Sequence, residues 1–302
     1  MKKSGLIVVL SLLAGLLRAG PPQEVVVTQT NPPPPTPIDL VDVESGYVFQ
    51  SDLNHGGSQG KQDELQNYIE YTHRFLLSGN LYLHAGLAYS RFDFDGTRAP
   101  VPNHLQSAAG VIGLDYMQGD ELGAFIQVRP GFYGENNFDS STFDVPWLVG
   151  RFFTLQPRKF YVLLGVGGAF LRGGYPVYPI VGIVYIWNDQ WQLKAVPPEP
   201  RLIYSPTKKL DLWIGGELAG GSYRIDEHDE FFGPHVTKLR NAQVDFTDYR
   251  AGGGLTYEVS KNLDVDLGAG CSIQRHFAYH RAGENFRTDP SPYVRLEIKA
   301  HF

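Results

Sequence analysis

Leu263, Val265, Leu267, Ala269, Cys271 and Ile273 alternate one for one with Asp264, Asp266, Gly268, Gly270, Ser272 and Gln274. A period of two places each set on its own face of a β-strand, one oily and one wet. Leu210, Leu212, Ile214 and Leu218 against Asp211, Gly215 and Glu217 repeat the pattern, as do Tyr249, Ala251, Leu255, Tyr257 and Val259 against Arg250, Thr256 and Glu258. Such runs exceed the ~5–6 residues of an ordinary soluble strand and match the ~9–11 needed to cross hydrocarbon at a tilt. From Leu40 onward the chain therefore reads as all-β, a closed antiparallel up-and-down transmembrane β-barrel.

The connections alternate in length. Tight turns are expected at Gly79-Asn80, Gln118-Gly119-Asp120, Gln156-Pro157-Arg158, Asn188-Asp189-Gln190, Pro206-Thr207-Lys208 and Ser260-Lys261-Asn262, all rich in turn formers. Between them lie longer polar segments, Asn54 to Gln62, Asp95 to Asn103, Glu135 to Ser141, Asp226 to Gln243 and Ala282 to Ser291. Short turns at one rim and long loops at the other are the outer-membrane pattern. Counting on this basis predicts about 14 strands, with Trp191 to Tyr204 a hairpin bent at Val196-Pro197-Pro198-Glu199-Pro200, and 12 as the alternative. An even count brings the two chain ends to the same rim.

Composition agrees with strands and turns. Aromatics make up 13% of the 302 residues and there are 34 glycines, while charged residues reach only 19%, below the roughly 25% of soluble domains. The mean hydropathy of −0.21 excludes a helical membrane protein; it does not exclude a barrel, whose strands give only alternate residues to lipid. The formal net charge of −6 argues against nucleic acid as a partner. A single cysteine, Cys271, excludes an intramolecular disulfide framework and any multi-cysteine metal site.

Met1-Lys2-Lys3-Ser4 followed by the apolar run Gly5 to Leu17 has the charged and apolar regions of a secretory signal. The segment after it contains Pro32-Pro33-Pro34-Pro35, which favours extended polyproline II. The expected organisation is a signal peptide over residues 1–20, a proline-rich periplasmic spacer over 21–39, and a barrel over 40–302.

The chain ends Tyr293-Val294-Arg295-Leu296-Glu297-Ile298-Lys299-Ala300-His301-Phe302. Val294, Leu296, Ile298, Ala300 and Phe302 form the apolar phase. This resembles the carboxy-terminal signal by which bacterial outer-membrane β-barrel proteins are recognised for assembly, a terminal aromatic on an amphipathic last strand. The resemblance implies location in the bacterial outer membrane of a Gram-negative cell, with outer-membrane lipid and the barrel-assembly machinery as partners. Pro200 to Ile225, including Leu210-Asp211-Leu212-Trp213-Ile214-Gly215-Gly216-Glu217, is similar to an uncharacterised family of outer-membrane barrels, which implies no catalytic residue.

Envelope lipid hydrolases of this architecture use serine and histidine near the rim. His276 and His280 could face Ser272, but no local motif joins them, and His73 and His84 read as interfacial or lumen-lining residues. Asp226-Glu227-His228-Asp229-Glu230 with His235 lacks the fixed spacing of a metal site and reads as a solvated acidic loop. No enzyme, cofactor or metal is expected.

If the oily phase faces lipid, then Glu70, Arg74, Arg129, Glu217, Arg250, Glu258, Asp264, Asp266, Arg295, Glu297 and Lys299 point into the barrel. Mixed charges on that wall suit a porin-like channel or binding barrel for small polar solutes. They equally suit an internal ion-pair network that closes the lumen of a structural or surface-interaction barrel. A lipid hydrolase is the third reading. Trp147, Tyr161, Trp187, Trp191, Trp213 and Tyr257 are the expected interfacial aromatic bands.

Overall fold

The computed structural model describes residues 38–97, 99–118, 121–226 and 239–302. The signal peptide, almost all of the spacer, the turn at Gly119-Asp120 and most of the acidic segment with His235 lie outside the described residues. Strand segments follow in chain order: β1 (Asp39–Asn54), β2 (Ser58–Ser78), β3 (Leu81–Thr97), β4 (His104–Gln118), β5 (Glu121–Val128), β6 (Gly131–Gly134), β7 (Phe143–Asp144), β8 (Trp147–Gln156), β9 (Phe160–Gly168), β10 (Val177–Asn188), β11 (Trp191–Ala195), β12 (Arg201–Thr207), β13 (Leu210–Arg224), β14 (Gln243–Ser260), β15 (Leu263–Tyr279), β16 (Glu284–Thr288) and β17 (Ser291–His301).

These segments make a closed antiparallel barrel of 14 strands. Three barrel strands are each broken once by a proline, at Pro130 between β5 and β6, at Pro146 between β7 and β8, and at Pro290 between β16 and β17. Proline has no N–H for the ladder, so pairing lapses there and resumes beyond. β5 and β6 accordingly both pair with β4, and β16 and β17 both pair with β15 and β1. Closure comes from β17 against β1, in register from Leu40↔His301 to Val48↔Tyr293. The chain ends meet: Phe302 N–H donates to the Asp39 carbonyl at 2.9 Å, and the Phe302 carbonyl accepts from Ile38 at 2.7 Å. That closure leaves no lipid-exposed edge along this seam, which a membrane demands.

The oily phase faces outward. Val294, Leu296 and Ile298 are exposed, as are Leu87 at 70%, Ile214 at 63% and Ile273 at 52%, while Arg295 and Glu297 between them are buried. The last strand thus carries the predicted assembly phase, Ala300 included, on its outer side. Trp187, Trp191 and Tyr257 are exposed near the short turns. Trp213 and Tyr161 depart from expectation: both point inward and are buried, at 6% and 2%. The reason is space, because Trp213 lies over Gly254 and Gly268, where an added Cβ would come within 2.6 and 3.0 Å of its ring.

Two of the expected long loops are partly strand. His55 to Gly57 is the whole connection between β1 and β2, and Ala282 to Ser291 contains β16. Polar composition marked them as loops, but backbone N–H and C=O groups pair regardless of side-chain polarity when a neighbouring strand continues alongside.

The barrel branches at its outer end. β6 pairs with β4 on one edge, and beyond Tyr133 its other edge meets β13, where Gly134 pairs in parallel with Arg224 and Glu135 N–H donates to the Arg224 carbonyl at 3.1 Å. A smaller ring therefore continues outward through β1, β2, β3, β4, β6, β13, β14, β15 and β16. Gly220, at φ +125°, lets β13 bend into this ring, since a Cβ there would stand 2.2 Å from the Phe246 carbonyl oxygen. Strands β8 to β12 stop short of it.

Candidate functional site: the barrel interior

The interior is layered. Nearest the middle lies a network of charges contributed by inward phases of many strands. Arg250 on β14 donates to Glu64 at 2.9 Å, Glu217 at 2.8 Å and Asp248 at 2.5 Å, and neither its side chain nor that of Glu64 has any exposure. Arg295 on β17 contacts Glu199 at 2.6 Å, Asp266 at 2.9 Å, Glu217 at 3.3 Å and Glu297 at 3.4 Å. Arg201 bridges Glu199 and Asp266 and stacks 4.2 Å from the Trp213 ring, whose indole N–H also donates to Asp266. Each guanidinium thus meets several carboxylates, the arrangement that makes burying its charge tolerable.

A second charged group lines β2 to β5. Arg129 contacts Glu70 at 2.7 Å, Tyr68 donates to the same carboxylate, and Arg74 and His84 both reach Asp115. All the acidic and basic residues expected on the wet phase, including Glu258, Asp264 and Lys299, occupy inward positions. Lys299 pairs with Glu297 at 3.0 Å near the chain-end rim. Glu44, Glu64, Asp248, Glu199, Arg201 and Arg275, unremarked in the sequence, join them. Their strands' alternation offered a signal for Glu44, Glu64 and Asp248; Glu199 sits in a proline-rich turn, where none existed.

Above the charges the outer ring is filled by aromatics. Phe92 and Phe94 from β3 meet Phe246 and Phe277 from β14 and β15, with centroid separations of 4.9 to 5.1 Å. Leu53, Leu105, Tyr133, Tyr223, Val244, Tyr279 and Phe286 complete a buried cluster. Phe246, Phe277, Arg250 and Glu64 are all buried to 2% exposure or less.

The shortened wall is different. Inward positions of β5 and β8 to β10 are mostly apolar, Gln127 being an exception: Phe125, Phe152, Tyr161, Leu163, Tyr178, Ile180 and Val184 pack together with Val196. Valines, isoleucines and tyrosines on both phases from Val177 to Trp187 signalled this two-sided apolarity. β10 pairs with β11 only from Ile183 onward, and β13 pairs with β12 only up to Gly215. Residues 177–182 and 219–223 thus face one another across an interval in the wall with no strand partner between them.

Two pieces of chain occupy that interval. The tip of the β11–β12 hairpin folds inward, Val196 against Gly182 and Leu163, with Glu199 held by Arg295 and Arg201. Loop 169–176 closes the top. At one end its Phe170 and Leu171 N–H groups donate to Asp144 on β7, at 2.8 and 3.1 Å. At the other, Gly173 and Gly174 N–H groups donate to Asp245 on β14, at 3.3 and 3.2 Å, where Ser222 and His280 also bind. Phe170 and Tyr175 are left 72% exposed on its surface.

His276 and His280 bond residues other than Ser272. Ser272 Oγ donates to Asp248, whereas His276 bonds Asn285 and His280 pairs with Asp245. His73 pairs with Asp39 at the chain-end rim and His84 lies inside. Among the described residues no cluster of three or more metal-ligating side chains occurs.

A closed up-and-down barrel, oily outside and charged within, is a membrane-spanning β-barrel of the bacterial outer-membrane type. Solved structures of that class resemble it. An outer membrane channel from Pseudomonas putida F1 shares 11% identity at a TM-score of 0.51, over 93% of this chain and 99% of that one. The deltaS2 mutant of TodX, a monoaromatic hydrocarbon channel from Pseudomonas putida, follows at 9% and 0.48, over 89% and 91%. A Pseudomonas aeruginosa FadL homologue follows at 10% and 0.43, over 88% and 90%. At 11% identity the first of these shows likeness of fold alone. No family model matches the sequence, the uncharacterised barrel family included, and no curated protein matches it.

Proposed function

We propose that the protein is a gated outer-membrane channel, without catalytic activity, for small solutes that carry an apolar surface. The observation that carries this reading is the interval between β10 and β13, beside an apolar inner wall and spanned by a loop whose backbone N–H groups bond Asp144 and Asp245. A solute able to shed water against Phe125, Phe152, Leu163 and Ile180 gains from that wall; a sugar does not. Of the two readings of the mixed charges, the pairing of Arg250 with Glu64 and of Arg295 with Asp266 favours the internal ion-pair network. Residues 1–20 serve as export signal and 21–39 as periplasmic spacer in this reading, with outer-membrane lipid and the assembly machinery as partners.

The full chain in planar bilayers tests it. Asp144→Ala with Asp245→Ala, which removes the acceptors of the loop's N–H groups, should raise open probability over the wild type, and small aromatic solutes should block the current where sugars do not. Silence from both proteins, verified as folded, would instead favour a structural barrel with a permanently closed lumen. That second reading draws on the complete burial of Arg250 and Glu64.

A further inference from the structure

Arg151 faces lipid. It lies on the outward phase of β8 between Val149 and Phe153, which are 41% and 39% exposed, and is itself exposed. Its register partners are Ala124 on β5 and Leu164 on β9, and Leu164 in turn pairs with Val181 on β10. Val181 is six residues from Trp187 at the short-turn rim, which at ~3.3 Å per residue and a tilt near 40° places it about 15 Å up a band ~25 Å tall. Arg151 thus stands near mid-membrane with no carboxylate of the described residues in ion-pair range. Arginine at such depth is unfavourable unless something answers its charge.

The direction of the side chain indicates what answers it. Its guanidinium carbon lies 5.1 Å from the Phe153 ring, so the chain leans toward the periplasmic turn. Arg158 and Lys159 are exposed at that turn, and no aspartate or glutamate occurs between Val145 and Asn188. The hairpin offers only positive charge to the periplasmic leaflet. A second copy of this chain suits the position less well, because the lipid-facing phase around Arg151 supplies no acid to meet it.

We propose that the outer face of the β8–β9 hairpin binds the phosphate headgroup of an anionic phospholipid of the periplasmic leaflet, drawn down onto Arg151 with Arg158 and Lys159 as the outer rim of the site. Arginine forks match phosphate geometry, and the low-dielectric surroundings strengthen the contact.

The test is native mass spectrometry of the folded full-length protein in detergent, titrated with phosphatidylglycerol and separately with phosphatidylcholine. Wild type should retain phosphatidylglycerol preferentially. Arg151→Leu, a change to a residue that lipid favours and that should leave folding intact, should lower that preference about tenfold, the size of one charge-assisted contact. Equal retention of both lipids by wild type would overturn the proposal. So would a preference lost only in Arg158→Gln with Lys159→Gln and kept in Arg151→Leu, or a homodimer that Arg151→Leu dissolves.

Discussion

Glu199, at the tip of the β11–β12 hairpin, accepts a 2.6 Å hydrogen bond from Arg295 on the last strand, 96 residues away in sequence. The same carboxylate binds Arg201 at 2.6 Å. One side chain therefore pins a wall-shortening hairpin to the strand that closes the barrel. Glu199→Ala should free the tip and leave two buried guanidiniums with fewer partners. We expect a loss of about 3–5 kcal/mol, read by denaturant unfolding in vesicles, together with a rise in channel conductance. Conductance unchanged in a destabilised variant would show that the tip supports the wall without restricting passage.

Arg250 serves Glu64, Glu217 and Asp248 at once. Arg250→Met strands three carboxylates beneath the aromatic cap and should cost about 3–5 kcal/mol. Adding Glu64→Gln and Asp248→Asn should restore part of that stability, since the penalty comes from uncompensated charge. Folded fraction by heat-modified gel migration is the measurement, and an additive, unrescued loss would contradict the network.

Phe246 touches Phe92, Phe94 and Phe277. Phe246→Ala should cost about 3–5 kcal/mol through the cavity it leaves. Denaturant unfolding in vesicles reads the loss, and a variant of unchanged stability would remove the cluster from the account.

Leu87, 70% exposed on β3, is paired with Tyr71 on the outward phase of β2. Leu87→Arg should destabilise the membrane-embedded barrel by about 2–4 kcal/mol. Leu87→Ile should be nearly neutral. Equal effects of both, compared by unfolding in vesicles, would mean that this face does not meet lipid.

Much of the fold was legible before any coordinates. The alternation of Leu263 to Gln274 and of Val294 to Phe302 assigned strands, faces and a closed sheet, because a period of two has one geometric meaning and lipid admits no open edge. The hairpin bend at Val196 to Pro200 was legible from its prolines. What escaped was anything set by contacts between distant segments. Trp213 read as an interfacial aromatic, and its inward turn depends on two glycines, Gly254 and Gly268, lying opposite it. The charged residues of the wet phases were legible one strand at a time, yet Arg250 and Arg295 are enclosed by carboxylates from β1, β2, β13 and β15, from their own strands and from a turn, a grouping invisible in any one strand's pattern.

By itself the sequence determined the barrel, its orientation toward lipid and the meeting of its ends, since these follow from local periodicity and from the requirement that every backbone group in a membrane be paired. Only the tertiary structure decided how the interior is filled. That outcome rests on β6 reaching β13, on the depth to which Glu199 enters, and on which carboxylate each arginine finds, all of them long-range packing choices that leave no periodic trace in the chain.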